Sequence, residues 1–175
     1  MTRRFRGPIS SAGSGEAMRW TLRLDDDELE VIARLLRELR ELLESGTDDG
    51  PVPPLLQRLF PTAYPDDEEK DAEYQRLMRG ELVTSRIHQI DAVSRLLGVD
   101  ADEGPRRRTL DEGEVIALMQ SVNAVRIVLG TMLDIGEDDI DVDDEHPAAA
   151  EHHLYGYLSW LLEWIVRSMR GTTPN

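Results

Sequence analysis

From Met18 to Leu24 apolar and polar residues alternate, Met18, Trp20, Leu22 and Leu24 against Arg19, Thr21 and Arg23. That is the period of two that a strand with one buried face requires, and it predicts a strand over 18–24. One strand leaves its backbone groups unpaired, so Arg3–Arg6 is the expected antiparallel partner and Arg107–Leu110 a third short strand. Between them the run SAGSGE has the composition of a flexible loop.

Beyond Leu24 the period lengthens to that of a helix. Asp25 followed by Glu28 forms a capping box, and Leu29, Ile32, Leu36, Leu39 and Leu43 make one stripe that ends at Ser45-Gly46. The linker TDDGPVPP is turn chemistry, and the short apolar run LLQRLF stops at Pro61 and Pro65. Asp66 with Glu69 predicts a second cap, before a helix carrying Tyr74, Leu77 and Met78. Gly80 weakens its middle before Leu82, Ile87, Ile90, Val93 and Leu97 continue to Gly98. Residues 99–108 read as an acidic-then-basic hinge. Asp111 with Glu114 caps a central helix, apolar nearly all round from Val122 to Leu133 and therefore expected to be buried. Asp134–Glu145 holds eight acidic residues and no basic one, a solvated loop. Pro147 suits the first turn of a last helix, whose face is Leu154, Tyr157, Leu158, Leu161, Leu162, Ile165 and Met169.

The predicted fold is mainly α, a single-domain helical bundle with a small N-terminal antiparallel β-ribbon. The ribbon region is 1–24, helices fill 25–133, the acidic loop is 134–147 and the C-terminal helix 148–170. A length of 175 residues fits one domain with a sizeable core. No secretory signal and no long uncharged apolar run is apparent, which places the expected protein in the cytoplasm and off the membrane. Twenty basic against 35 acidic residues leave a charge of −15, which repels phosphate backbones and anionic lipid and favours an electropositive protein partner over nucleic acid. With no cysteine, disulfides, thiolate catalysis, thiol redox switching and Cys-ligated metals are excluded. A single lysine, Lys70, among the basic residues points to an arginine-biased, G+C-rich genome.

The candidate chemistry is thin. Asp139, Asp141 and Asp143 alternate like the start of an EF-hand loop, but Asp144 stands where its glycine belongs and Ala150 where its bidentate glutamate belongs, so no calcium site is expected. His146, His152 and His153 near Glu151 lack zinc-site spacing, because adjacent helical residues point about 100° apart. His88 reads as a partly buried histidine. No nucleophile elbow, Walker motif or dinucleotide fingerprint occurs, so no cofactor, metal or enzymatic activity is expected. The basic runs Arg3–Arg6 and Arg106–Arg108 are expected to pair with carboxylates. Asn123, Arg126 and Gly130 share one side of the central helix. There Arg126 should meet a carboxylate such as Asp66 or Asp67, and Gly130 should permit close backbone approach. Trp160 and Trp164 with Tyr157 form an aromatic strip, expected to pack on the ribbon, with a partner contact as the alternative. Met119, Met132 and Met169 fall on predicted core faces.

Three runs together, LFPTAYPDDEEKDAEYQRL from Leu59, LDEGEVIALMQSVNAVRIVLGTMLDI from Leu110 and LYGYLSWLLEWIV near the end, resemble the actinobacterial AosR family, long a domain of unknown function. The most specific pieces are Phe60-Pro61 and Tyr64 followed by Asp66-Asp67, and Asn123-x-x-Arg126 followed by Leu129-Gly130. The resemblance covers nearly the whole chain. It implies a cytoplasmic regulator of the oxidative stress response that contacts an extracytoplasmic-function sigma factor or RNA polymerase. An alternative is a non-catalytic adaptor or structural protein, with a homodimer as one form, linked to ClpS-type proteolysis or cysteine biosynthesis. The family's namesake senses oxidant through cysteines, and this chain departs from it in having none.

Overall fold

The computed structural model describes residues 7–13, 18–46, 52–98, 107–135 and 147–171. Strand β2 (Arg19–Arg23) is the middle of a three-stranded antiparallel sheet, with β1 (Ile9–Ala12) on one edge and β3 (Arg107–Leu110) on the other. Ile9 stands opposite Leu22 on one side, and Trp20 opposite Leu110 on the other. The third strand is therefore where the sequence placed it, and the other partner is corrected. The edge of β2 expected for Arg3–Arg6, a segment that lies outside the described residues, is taken by Ile9–Ala12. Ile9 offers the buried face an apolar side chain, and Ile9–Ala12 closes onto β2 through a shorter loop, at lower entropic cost than Arg3–Arg6. Ser11 and Ala12, expected in the loop, belong to β1.

Helix α1 (Asp26–Ser45) begins as the capping box requires. The Asp25 carboxylate accepts from the Glu28 N–H at 2.8 Å, and the Glu28 carboxylate accepts from the Asp25 N–H at 2.9 Å. Its stripe of Ile32, Leu36, Leu39 and Leu43 is buried. The segment LLQRLF lies in a 3-10 helix, Pro54–Leu59, and Phe60 after it. Helix α2 (Glu68–Leu97) is capped by Asp67, not by Asp66. The Asp67 N–H donates to the Tyr64 carbonyl at 3.2 Å, which folds Tyr64–Asp67 into a turn and leaves Asp67 as the extended residue able to cap. Gly80 does not interrupt α2, because an isolated exposed glycine costs a helix only about 1 kcal/mol. Leu77, expected on the apolar stripe, is 60% exposed. Gly98 ends the helix in the left-handed conformation, at φ 64°.

Strand β3 then performs a second task. Arg108 is buried on the inner face, where its Nε donates to the Leu96 carbonyl at 2.9 Å and a terminal nitrogen donates to the Leu97 carbonyl. The guanidinium caps the negative end of α2, so the carboxylate partner expected for it is replaced by peptide carbonyls. Burial pushes its pKa down.

The capping box of Asp111 and Glu114 starts α3 (Glu112–Met132). This helix packs against α1, α2, the 3-10 helix, β2 and β3, and against α4 (Ala149–Met169). Covered on several sides, it has the apolar periphery of a central helix, burying Val115, Leu118, Val122, Val125 and Leu129. By length and hydropathy alone the same helix could cross a membrane, and a core helix has the same composition. Its end is closed by Asp134 at φ 52°, with the Ile135 N–H on the Gly130 carbonyl at 2.9 Å and the Asp134 N–H on the Thr131 carbonyl at 3.2 Å. Pro147 lies in the turn before α4 rather than in its first turn.

Candidate functional site

The three groups of residues singled out by the sequence occupy three separate places. The first is the corner between the 3-10 helix and α2. Phe60 is buried, and the Arg86 guanidinium lies 5.8 Å from its ring centroid while donating to the Leu59 carbonyl at 3.1 Å. Burial lowers the Arg86 pKa. Gln75 donates to the Pro61 carbonyl at 3.1 Å, and one Asp71 oxygen accepts from the N–H groups of Ala63 and Tyr64 at 2.6 and 3.1 Å. Tyr64 rests edge-on against Tyr74 at 6.0 Å. Asp67 caps α2 and pairs with Lys70 Nζ at 2.8 Å, and that side-chain contact, first among its causes, lowers the Asp67 pKa. The carbonyls of Leu59 and Pro61, the amides of Ala63 and Tyr64 and the rings of Phe60 and Tyr64 are thus tied to α2. Gln75, Asp71 and Arg86 do the tying, and the sequence reading passed over all three because each acts through a main-chain group, which leaves no side-chain motif.

The second place is the junction of α3 and α4. Arg126 does not reach Asp66 or Asp67. Its guanidinium carbon lies 5.8 Å from the ring centroid of Tyr155. The same ring covers Gly130, where a Cβ would come within 3.0 Å of it. The close approach at Gly130 is therefore made by an aromatic ring rather than by backbone. Asn123 is half-buried on the same helix.

The third place is the aromatic strip of α4. Tyr157 donates its hydroxyl to Glu28 Oε1 at 3.0 Å, so one carboxylate serves the α1 capping box and holds α4. Burial, then the charge of Glu28, raises the Tyr157 pKa well beyond the usual phenol range. Trp160 lies 5.9 Å from Tyr157 and 6.3 Å from Trp164, centroid to centroid. Trp164 packs so closely on Gly7, just before β1, that a Cβ there would stand 2.4 Å from the indole. The strip is thus divided: Trp164 packs on the ribbon as expected, Tyr157 ties α4 to α1, and Trp160, 36% exposed, faces solvent. Beside Tyr157 a cleft of about 490 Å³ is lined by Glu28, Val31, Arg34, Glu151, His153 and Leu154.

Other candidates fare differently. His88 is exposed, not partly buried, and lines a groove between α2 and α3. The His152 ring lies 2.8 Å from the Ala148 carbonyl. Among the described residues no cluster of three His, Cys, Asp or Glu side chains could hold a metal ion. Met132 is 52% exposed, contrary to its predicted core position, because Leu129 and Gly130 take the buried face of the last turn of α3. Asp139, Asp141, Asp143, His146, Arg106 and the hinge residues 99–106 lie outside the described residues.

This arrangement defines a helical domain with a small sheet, whose distinctive residues among those described hold elements together. The chain belongs to the family described as Domain of unknown function (DUF2017), matched over residues 2–169. Proteins named Oxidative stress regulator AosR from Mycobacterium bovis and Mycobacterium tuberculosis are 30% identical to it over 151 residues, 77% of this chain and 67% of theirs. A relative from Mycobacterium leprae is 28% identical over 160 residues, 83% of this chain and 68% of its own. No solved structure matches.

Proposed function

We propose that this chain is a regulatory protein of the oxidative stress response. It acts in the cytoplasm by contact with another protein, an extracytoplasmic-function sigma factor or RNA polymerase, and not by catalysis. The observation that carries this reading is the name of the relatives, Oxidative stress regulator, borne by proteins 30% identical over 77% of the chain. A charge of −15 supports a basic protein surface over nucleic acid as the partner. Trp160 supports contact with a protein, since an exposed indole beside a carboxylate-lined cleft is the kind of residue that anchors interfaces.

Binding of a purified sigma factor to the immobilised chain tests the reading. Micromolar or tighter binding is expected, with association slowing as salt rises. Trp160→Ala should weaken it about tenfold, at a temperature where circular dichroism shows the variant folded, since the substitution also removes its ring contacts with Tyr157 and Trp164. Absence of binding to both sigma factors and polymerase, with recovery of protease or cysteine-synthesis proteins from the native cytoplasm, would move the chain to the adaptor reading.

A further inference from the structure

Helix α2 is the longest in the protein, and among the described residues no element covers the face opposite its buried positions Val83, Ile90, Val93 and Leu97. That face carries Leu77, whose 60% exposure is the largest of any bulky apolar residue described. Next to Leu77, the groove of about 570 Å³ between α2 and α3 is lined by Glu81, Thr84, Ser85, His88 and Ala92. Positions 77, 81, 84 and 88 follow the four-three spacing by which a helix presents a continuous seam to another helix.

The seam matches itself when reversed. Leu77 and Ala92, Glu81 and His88, and Thr84 and Ser85 are each equidistant from the midpoint between Thr84 and Ser85. We propose that α2 is a homodimer interface: two copies pack this helix antiparallel about a two-fold axis at Thr84 and Ser85. Each Leu77 then lies over the second copy's Ala92, and each Glu81 beside the second copy's His88. A large side chain meets a small one, an acid meets an imidazole, and the two smallest hydroxyl residues meet at the axis, where the backbones approach most closely. This is the reciprocity that a two-fold contact requires, residue i touching j and j touching i. It commits the groove to a second copy, because the helix laid against its own reverse sets large against small at Leu77 and Ala92 and acid against imidazole at Glu81 and His88.

The inference stands apart from the regulatory reading and has its own signature. Two copies of charge −15 repel at long range, so added salt should strengthen this association, whereas it weakens binding to a basic partner. Sedimentation of the whole chain over about a hundredfold range of concentration should show the mass rise from 19.8 kDa toward twice that value, more readily at high salt. Leu77→Asp should raise the dissociation constant about tenfold or more. Glu81→Arg should weaken the dimer, and Glu81→Arg combined with His88→Glu should restore it. All three side chains are exposed, so the variants are expected to fold, and circular dichroism checks it. In a chain without native cysteine, Ser85→Cys should cross-link two copies under mild oxidation, while Glu41→Cys, on the exposed face of α1, should not. A single 19.8 kDa species at every concentration overturns the proposal, as does a dimer indifferent to Leu77→Asp or a Ser85→Cys variant that does not cross-link.

Discussion

Arg126 stands among Val122, Val125 and Leu129 on α3, and a cation so placed must find a group that tolerates its charge. The sequence shows that need but not what meets it, because Tyr155 comes from another helix across the acidic segment. The difference is measurable. A buried ion pair broken on one side costs about 3–5 kcal/mol, whereas a guanidinium over a tyrosine ring contributes about 1 kcal/mol. Arg126→Ala should therefore cost about 1 kcal/mol in urea unfolding, and a loss above about 3 kcal/mol would show that a carboxylate is present after all. Tyr157 gives a second residue-scale expectation. Its raised pKa means that the unfolded chain releases this proton at lower pH than the folded one. The contribution of Tyr157 to stability is thus intact below its ordinary pKa near 10 and is lost as pH rises beyond it. Stability measured from pH 8 to 11 should fall less steeply at the alkaline end in Tyr157→Phe than in the parent. At neutral pH the same variant should lose about 1–2 kcal/mol with its hydrogen bond to the Glu28 carboxylate.

At the scale of elements, what could be read in advance was what depends on near neighbours in the chain. The capping boxes at Asp25 and Asp111, the stripe of α1, the stop at Gly98 and the alternation of β2 each involve residues a few positions apart. What failed turned on which main-chain groups pair, a choice that the side-chain pattern does not carry. The partner of β2 is Ile9–Ala12 instead of Arg3–Arg6, and the cap of α2 moved from Asp66 to Asp67 because a turn hydrogen bond came first. Of the candidate site residues, Phe60, Pro61 and Tyr64 lie at one corner. The side chains that hold that corner, Asp71, Gln75 and Arg86, had no local signature. Arg108 is the sharpest such case, since its run of three arginines was expected to pair with carboxylates and it is instead buried against the carbonyl end of α2. Arg108→Met should strand the carbonyls of Leu96 and Leu97 and cost about 2–4 kcal/mol, seen as a lower urea midpoint with unchanged slope. Arg108→Lys should recover part of that loss.

For the whole molecule, the absence of cysteine and the placement of methionine decide how oxidant can act. With Met132 about half exposed and Met18, Met78, Met119 and Met169 more covered, peroxide should convert Met132 to the sulfoxide before the other four. Mass spectrometry of peptides after graded treatment checks the order. Affinity for the sigma factor proposed as partner should be unchanged by the same treatment and show no component reversed by dithiothreitol, since no thiol exists to form one.

The sheet has a further consequence, for the order of events as the chain folds. Strands β1 and β2 are joined by a short connection and can form a hairpin early, but Thr21 finds Thr109 only after α1 and α2 have been made and brought round. Closing so long a loop carries an entropic cost that local pairing does not. The pairing of β3 is therefore expected to be a late event, one that seats Arg108 on the last turn of α2, and pulsed hydrogen exchange should show the Thr109 amide protected after those of α1. One short strand thereby makes the chain's early and late segments cooperate, so that neither is secure until most of the protein has left the ribosome.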